Sequence, residues 1–225
     1  MNWTKWAVVG CLMGVLSFLQ VGCATNRGII DVRVVQPQNP ANSQAVKIVT
    51  VRDLRVFELK PASASIPSLK NGEINDASIT HRAIARKRNG YGKAMGDILL
   101  PEGQTVEGLT RDALARAFKE KGYTVLDAQD AGYDQAEAVE ADIEQFWAWV
   151  TPGFWAASLE FEALVKVKNP TIFLTPEEAV RGSVLLHTQA AGTSAWMNIL
   201  NKGLEDFIQK AQEKMKEPKT LSSAQ

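Results

Sequence analysis

Two histidines, His81 and His187, are the only imidazoles in the chain. Neither has a carboxylate or cysteine neighbour at the spacing of a metal ligand set or a catalytic triad. There is no His-Glu-x-x-His, no nucleophile elbow and no phosphate loop. Gly90, Gly92 and Gly96 are spaced by two and four, but no strand of dinucleotide-binding type precedes them, and they read as a flexible turn. The sequence therefore predicts no catalytic residue, no metal ion and no cofactor.

Charge is distributed unevenly. Arg82, Arg86, Lys87, Arg88 and Lys93 fall within twelve residues that hold no acid. Such a cluster is either a solvated loop or a surface for an anionic partner. Asp142, Glu144, Glu160 and Glu162 lie on one parity of two adjoining extended runs, where an even register sets acid near acid across the strands. Phe146, Trp147, Trp149, Phe154 and Trp155 crowd the turn between those runs. They are expected to be core, the other reading being an exposed apolar tip.

The elements that position these residues follow from periodicity. Ile30, Val32 and Val34 alternate as a brief strand, and a Pro/Asn-rich loop follows. Residues 45–57 are rich in β-branched side chains on both parities, as in a strand covered on both faces or one carrying a bulge near Asp53. Thr105 caps a helix whose apolar positions are Val106, Leu109, Ala113, Leu114, Ala117 and Phe118, and Gly122 ends it. The odd-numbered apolar residues 139–149 and 155–167 flank Thr151-Pro152-Gly153 as a long hairpin with one apolar face. A further strand covers 181–189, and an amphipathic helix runs from Trp196 to about Lys216. The region from about 60 to 104 lacks a period and reads as an irregular basic insertion. The predicted fold class is α+β: an antiparallel sheet with two helices on one face, in the order strand-helix-strand-strand-strand-helix.

With 25 Lys+Arg against 25 Asp+Glu and 45% hydrophobic residues over 225 positions, this is a globular composition. A disordered or many-span membrane chain is excluded, and a dedicated nucleic-acid binder would carry a basic excess. The N-terminus is distinct. Lys5 precedes an almost wholly apolar run from Trp6 to Leu19, too short to span a bilayer comfortably, and no acid appears before Asp31. This is the pattern of an export signal.

The end of that run, Leu19-Gln20-Val21-Gly22-Cys23, resembles the lipobox of bacterial lipoproteins. The resemblance implies cleavage between Gly22 and Cys23 and acylation of the Cys23 sulfur. Gln20 stands where the family usually has an apolar residue, so ordinary signal-peptidase cleavage after Ala24 is the alternative. Ala24, rather than Asp, after the cysteine implies the outer membrane. The run Leu109 to Val125, the strand around 141–150 and the terminal helix resemble the YajG-type lipoproteins of Gram-negative envelopes. Longer relatives with a similar Arg-Asn-Gly-Tyr-Gly run are often labelled flagellar biosynthesis proteins.

The expected organisation is a signal peptide over 1–22, then a lipidated cysteine, tether and short strand over 23–44. A single domain over 45–217 and a polar tail over 218–225 complete it. The expected function is non-enzymatic: a lipid-anchored binding or assembly component at the periplasmic face of the outer membrane. Its partners would be membrane lipid through Cys23 and an envelope protein or anionic envelope polymer, with no nucleic acid. The alternative is a soluble periplasmic accessory or scaffold for an envelope machine such as the flagellum, and an enzyme comes third.

Overall fold

The computed structural model describes residues 26–41, 43–153, 156–189 and 191–219. The expected signal peptide, Cys23, Phe154, Trp155 and the end of the polar tail lie outside the described residues. Eight strands form one sheet: β1 (Gly28–Ile29), β2 (Ala45–Asp53), β3 (Ala83–Arg88), β4 (Ala94–Leu99), β5 (Thr124–Val125), β6 (Glu137–Thr151), β7 (Ala157–Lys168) and β8 (Glu177–Thr188). Three helices join them: a single turn α1 (Ala77–Thr80), α2 (Val106–Lys121) and α3 (Thr193–Lys214). The class is α+β.

The 15-residue β6 is the spine. One of its edges carries β7 antiparallel along most of its length, and β7 carries β8 antiparallel. The other edge is divided. β2 runs parallel to Glu137–Ile143, and β3 runs parallel to Ala148–Trp149. β5 extends the sheet beyond β2, while β4 and β1 extend it beyond β3. The sheet is therefore mixed rather than antiparallel. The chain between β2 and β6 is long enough, and contains α2, so it can return in the parallel sense.

Capping at α2 is as the sequence predicts. Thr105 Oγ1 accepts the Gly108 N–H at 3.1 Å, and Gly122 adopts a φ of 105°, which L side chains rarely tolerate. Leu114, Ala113, Ala117 and Phe118 are fully buried between α2 and the sheet. α3 lies on the same face, sharing this core through Trp196, Ile199, Leu200, Phe207 and Ile208. Arg116 bridges the helices, with its guanidinium forked onto Glu205 of α3 at 2.6 and 2.9 Å.

Three further expectations are corrected. The first is the irregular insertion at about 60–104, which contains the paired strands β3 and β4. Register shifts between Ala83 and Ala85 and between Arg86 and Arg88 break their alternation, so no period of two survives in the sequence. The second concerns the hairpin, which does not keep one apolar parity. A bulge between Ile143 and Gln145 flips the faces. Beyond it Phe146, Ala148 and Val150 enter the helix-side core, where Phe146 meets Phe161 edge-on at 5.1 Å. Trp147 and Trp149 face the other way and build a second core with Leu69, Ala83 and Leu99, closed by Phe57 edge-on to Trp147 at 5.9 Å.

The third correction is electrostatic. Three of the four acids, Asp142, Glu144 and Glu162, are set against cations rather than against each other. Asp142 accepts from Arg52 Nε at 2.6 Å and Lys168 Nζ at 2.9 Å, Lys166 meets Glu144 at 2.7 Å, and Arg181 meets Glu162. Glu160 accepts from the Thr151 hydroxyl. The Arg52 hydrogen bond, helped by Lys168 and opposed by partial burial, holds the Asp142 carboxyl down to about 2. A folded-state value below the unfolded one (about 3.9) adds stability that is complete above the unfolded value and is lost as pH falls through the folded one. Melting of wild type and Asp142→Asn should differ by about 1–2 kcal/mol at neutral pH. The two curves should converge as pH approaches 2; a gap that persists there would assign the loss to packing instead.

Candidate functional site

The predicted basic cluster forms the β3–β4 hairpin. Its residues do not act as one patch. Arg82 precedes β3 and donates Nε to the Leu100 carbonyl at 3.0 Å, a structural bond at the far end of the hairpin from its turn. Arg86, Lys87 and Arg88 occupy the turn-proximal half of β3, and exposed Lys93 leads into β4. Asn89 organises the turn, its Oδ1 accepting the N–H groups of Tyr91 and Lys93 at 3.0 Å each. Tyr91 stands at the tip, 98% exposed.

Arg86 and Arg88 are half-buried, and burial pushes both guanidinium pKa values down. For Arg86, nearby Asp97 partly offsets the burial and Arg88 adds to it. Both remain charged, as arginines do in proteins. The Nε atoms of both and Nη2 of Arg88 have no hydrogen-bond partner among the described residues, while Arg88 Nη1 donates to the Gly92 carbonyl at 3.0 Å. Desolvated guanidinium N–H groups without acceptors are costly to bury. Asp97 does not satisfy them. It is fully buried, bound by Arg27 at 2.8 and 3.1 Å and by the Lys70 N–H at 3.1 Å. Burial raises its carboxyl, but these bonds outweigh it and hold the pKa below the usual value.

Register shows what gathers at this end of the sheet. β1 runs parallel to β4, with Gly28 opposite Ile98 and Ile29 opposite Leu99. The chain therefore enters β1 from the side of the β3–β4 turn. Lys87 Nζ donates to the Asn26 carbonyl at 3.0 Å. β3 and β6 are parallel, with Arg86 opposite Trp149, so the β6–β7 turn after Thr151 lies at the same end.

A second constellation sits at the fork, where β2 leaves β6 and β3 takes over. It escaped the sequence reading because its members are far apart in the chain. Arg55, with no exposed side-chain surface, donates Nη1 to the carbonyls of Ala83 at 2.6 Å and Phe146 at 3.0 Å, and Nη2 to that of Thr80 at 2.8 Å. It also grips Asp53 through Nε at 2.8 Å and Nη2 at 2.7 Å. His81 follows α1, and Val106 N donates to its carbonyl at 2.8 Å, which fixes the start of α2 against it. Glu107, in the first turn of α2, pairs through Oε1 with His81 Nδ1. Donor atoms of Asp53, His81 and Glu107 all lie within 4.8 Å of one another. His187, on β8, is instead 3.3 Å from the Ser158 hydroxyl.

A polar cleft of about 490 Å³ opens between α2 and the segment after β5, lined by Arg111, Asp112, Lys119, Asp127, Asp130 and Tyr133. Its charges are mixed in sign, and it contains none of the predicted residues.

No protein-family model matches the chain. No curated protein matches it either. A solved crystal structure of an uncharacterized protein is similar over 84% of this chain and 95% of its own, at 8% sequence identity and a TM-score of 0.37. No described helix is long and apolar enough to cross a membrane.

Proposed function

We propose that the protein is a non-enzymatic, lipid-anchored component of the outer membrane's periplasmic face, related to the YajG-type lipoproteins, whose β3–β4 hairpin rests on anionic phospholipid headgroups. The supporting observation is the bond from Lys87 to the Asn26 carbonyl. Cys23 precedes Asn26 by three residues, and three residues reach at most about 11 Å. An acyl chain on Cys23 therefore holds the bilayer surface within reach of Arg86, Lys87, Arg88 and Lys93. Tyr91 at the tip has the amphipathic ring that prefers the headgroup level.

A diacylated cysteine already anchors stably, and a basic patch beside it adds an electrostatic attraction that orients the domain on the surface. Each cation near an anionic surface adds about 1 kcal/mol. Changing Arg86, Lys87 and Arg88 together to Ser should weaken binding to phosphatidylglycerol vesicles about 100-fold. Pure phosphatidylcholine should bind both proteins equally. Salt should erase the difference, since the attraction is screened over about 8–10 Å. A palmitate analogue should label the wild type and spare Cys23→Ser. Equal labelling overturns the anchor, and equal vesicle binding by the triple variant overturns the headgroup contact.

A further inference from the structure

We propose that Asp53, His81 and Glu107 form a binding site for one divalent transition-metal ion, Zn²⁺ by preference. Three donors converge from the end of β2, the residue after α1 and the first turn of α2, and their ligand atoms lie within 4.8 Å of one another. An imidazole with two carboxylates suits Zn²⁺, while Mg²⁺ and Ca²⁺ prefer oxygen alone. Ligands around tetrahedral zinc stand about 3.3 Å apart. Side-chain shifts of about 1 Å would therefore complete the coordination.

The simpler account is an ion pair between protonated His81 and Glu107. It explains one carboxylate oxygen and leaves the other. Glu107 Oε2 is buried and has no hydrogen-bond partner among the described residues, a costly state that a cation removes. Asp53 is brought beside that pair by its hydrogen bonds to Arg55, which makes it available as a third ligand. Arg55 is the cation that argues against a metal here. Its charge, however, is engaged by Asp53 through two hydrogen bonds, and Glu107 lies outside that pair. Asp53 Oδ1 accepts both the Nε and the backbone N–H of Arg55, while Oδ2 accepts Nη2 and keeps a further lone pair for a metal. The grip of Arg55 thus orients the carboxylate as outer partners of metal ligands do. The site is also anchored through the backbone. The His81 N–H donates to the Ala77 carbonyl at 3.2 Å, and its own carbonyl accepts from Val106. The His81 side chain is 42% exposed, which leaves an entry path and room for water ligands.

Calorimetric titration of ZnCl₂ into the full chain in detergent tests this, after EDTA treatment and with Cys11 and Cys23 changed to Ser so that no thiolate competes. The expected result is one Zn²⁺ per chain, with a dissociation constant on the order of micromolar or tighter, and a raised melting temperature when metal is present. His81→Ala and Glu107→Gln should each weaken binding about tenfold or more. His187→Ala should leave it unchanged. Metal-free melting curves for each variant separate lost ligation from lost folding. No saturable binding, or binding that survives both His81→Ala and Glu107→Gln in folded protein, overturns the proposal, as does binding abolished by His187→Ala.

Discussion

Arg55→Met should destabilise the protein by about 3–5 kcal/mol, enough to unfold much of the population at 37 °C in a domain of ordinary stability. Methionine fills similar space, so the loss is electrostatic rather than volumetric. Asp53, whose side chain is 6% exposed, would keep its charge with no countercharge from residue 55, only that residue's backbone N–H as donor. The Arg55 bonds to the carbonyls of Thr80, Ala83 and Phe146 would be lost as well. Each orphaned carbonyl costs on the order of 1–3 kcal/mol, and water entering the fork recovers part of that. Denaturant melts of Arg55→Met and of the double variant Arg55→Met/Asp53→Leu check the account. The double variant should regain stability, because it removes the stranded charge, while remaining below wild type because the carbonyls stay unpaired. A single variant within 1 kcal/mol of wild type would show that Arg55 is not what closes the fork.

Gly182→Ala should cost about 3 kcal/mol, the upper part of the range for overpacking a core. By local preference alone, exchanging glycine for alanine inside a strand is favourable by roughly 0.5–1 kcal/mol. Contact decides otherwise. A Cβ on Gly182 would stand 2.7 Å from both Cα and Cβ of Phe207 and 2.8 Å from its backbone nitrogen. Backbone cannot rotate away as a side chain does, so α3 would have to lift off β8. The helix has little freedom to do this, because Gly203 on its sheet side receives the Phe161 ring, where an added Cβ would also clash. Gly90→Ala is the control. Nothing lies within 4 Å of its Cβ position, and stability should change by less than about 0.5 kcal/mol. Equal melting temperatures for the two variants would mean that α3 is not seated this closely.

Elements held by local chemistry were legible in the sequence. α2 carries its Thr105 cap, its period and its terminating glycine within one stretch of chain. α3 and the β6–β7 hairpin were visible in the same way. What the sequence concealed were features that one bulge or one distant partner decides. The register shift after Ile143 reverses the faces of everything that follows on β6, so Trp147 and Trp149 matched the predicted parity yet pack on the opposite layer. β3 and β4 were hidden because two register shifts interrupt six-residue strands. The basic cluster was visible as composition, but only the structure shows that Arg82 belongs to the fold while Arg86 and Arg88 each bury an Nε without a hydrogen-bond partner among the described residues. The Asp53, His81 and Glu107 group could not be seen at all. Its members come from three elements brought together by the fork, and no motif spacing encodes that.

The divided edge of β6 also sets an order of assembly. The β6–β7–β8–α3 half is joined by contacts between neighbours in the chain, which form quickly. β2 and β3, by contrast, must wait for a strand that begins at Glu137, so both are synthesised well before the edge they will occupy. Ribosomal synthesis delivers the N-terminal half first. Until then Val46, Ile48 and Ile84 have no complete core to enter, and the early chain remains an open, incompletely paired polypeptide. Lateness of the central strand thus postpones closure of the whole sheet, leaving an interval in which the nascent protein stays unfolded.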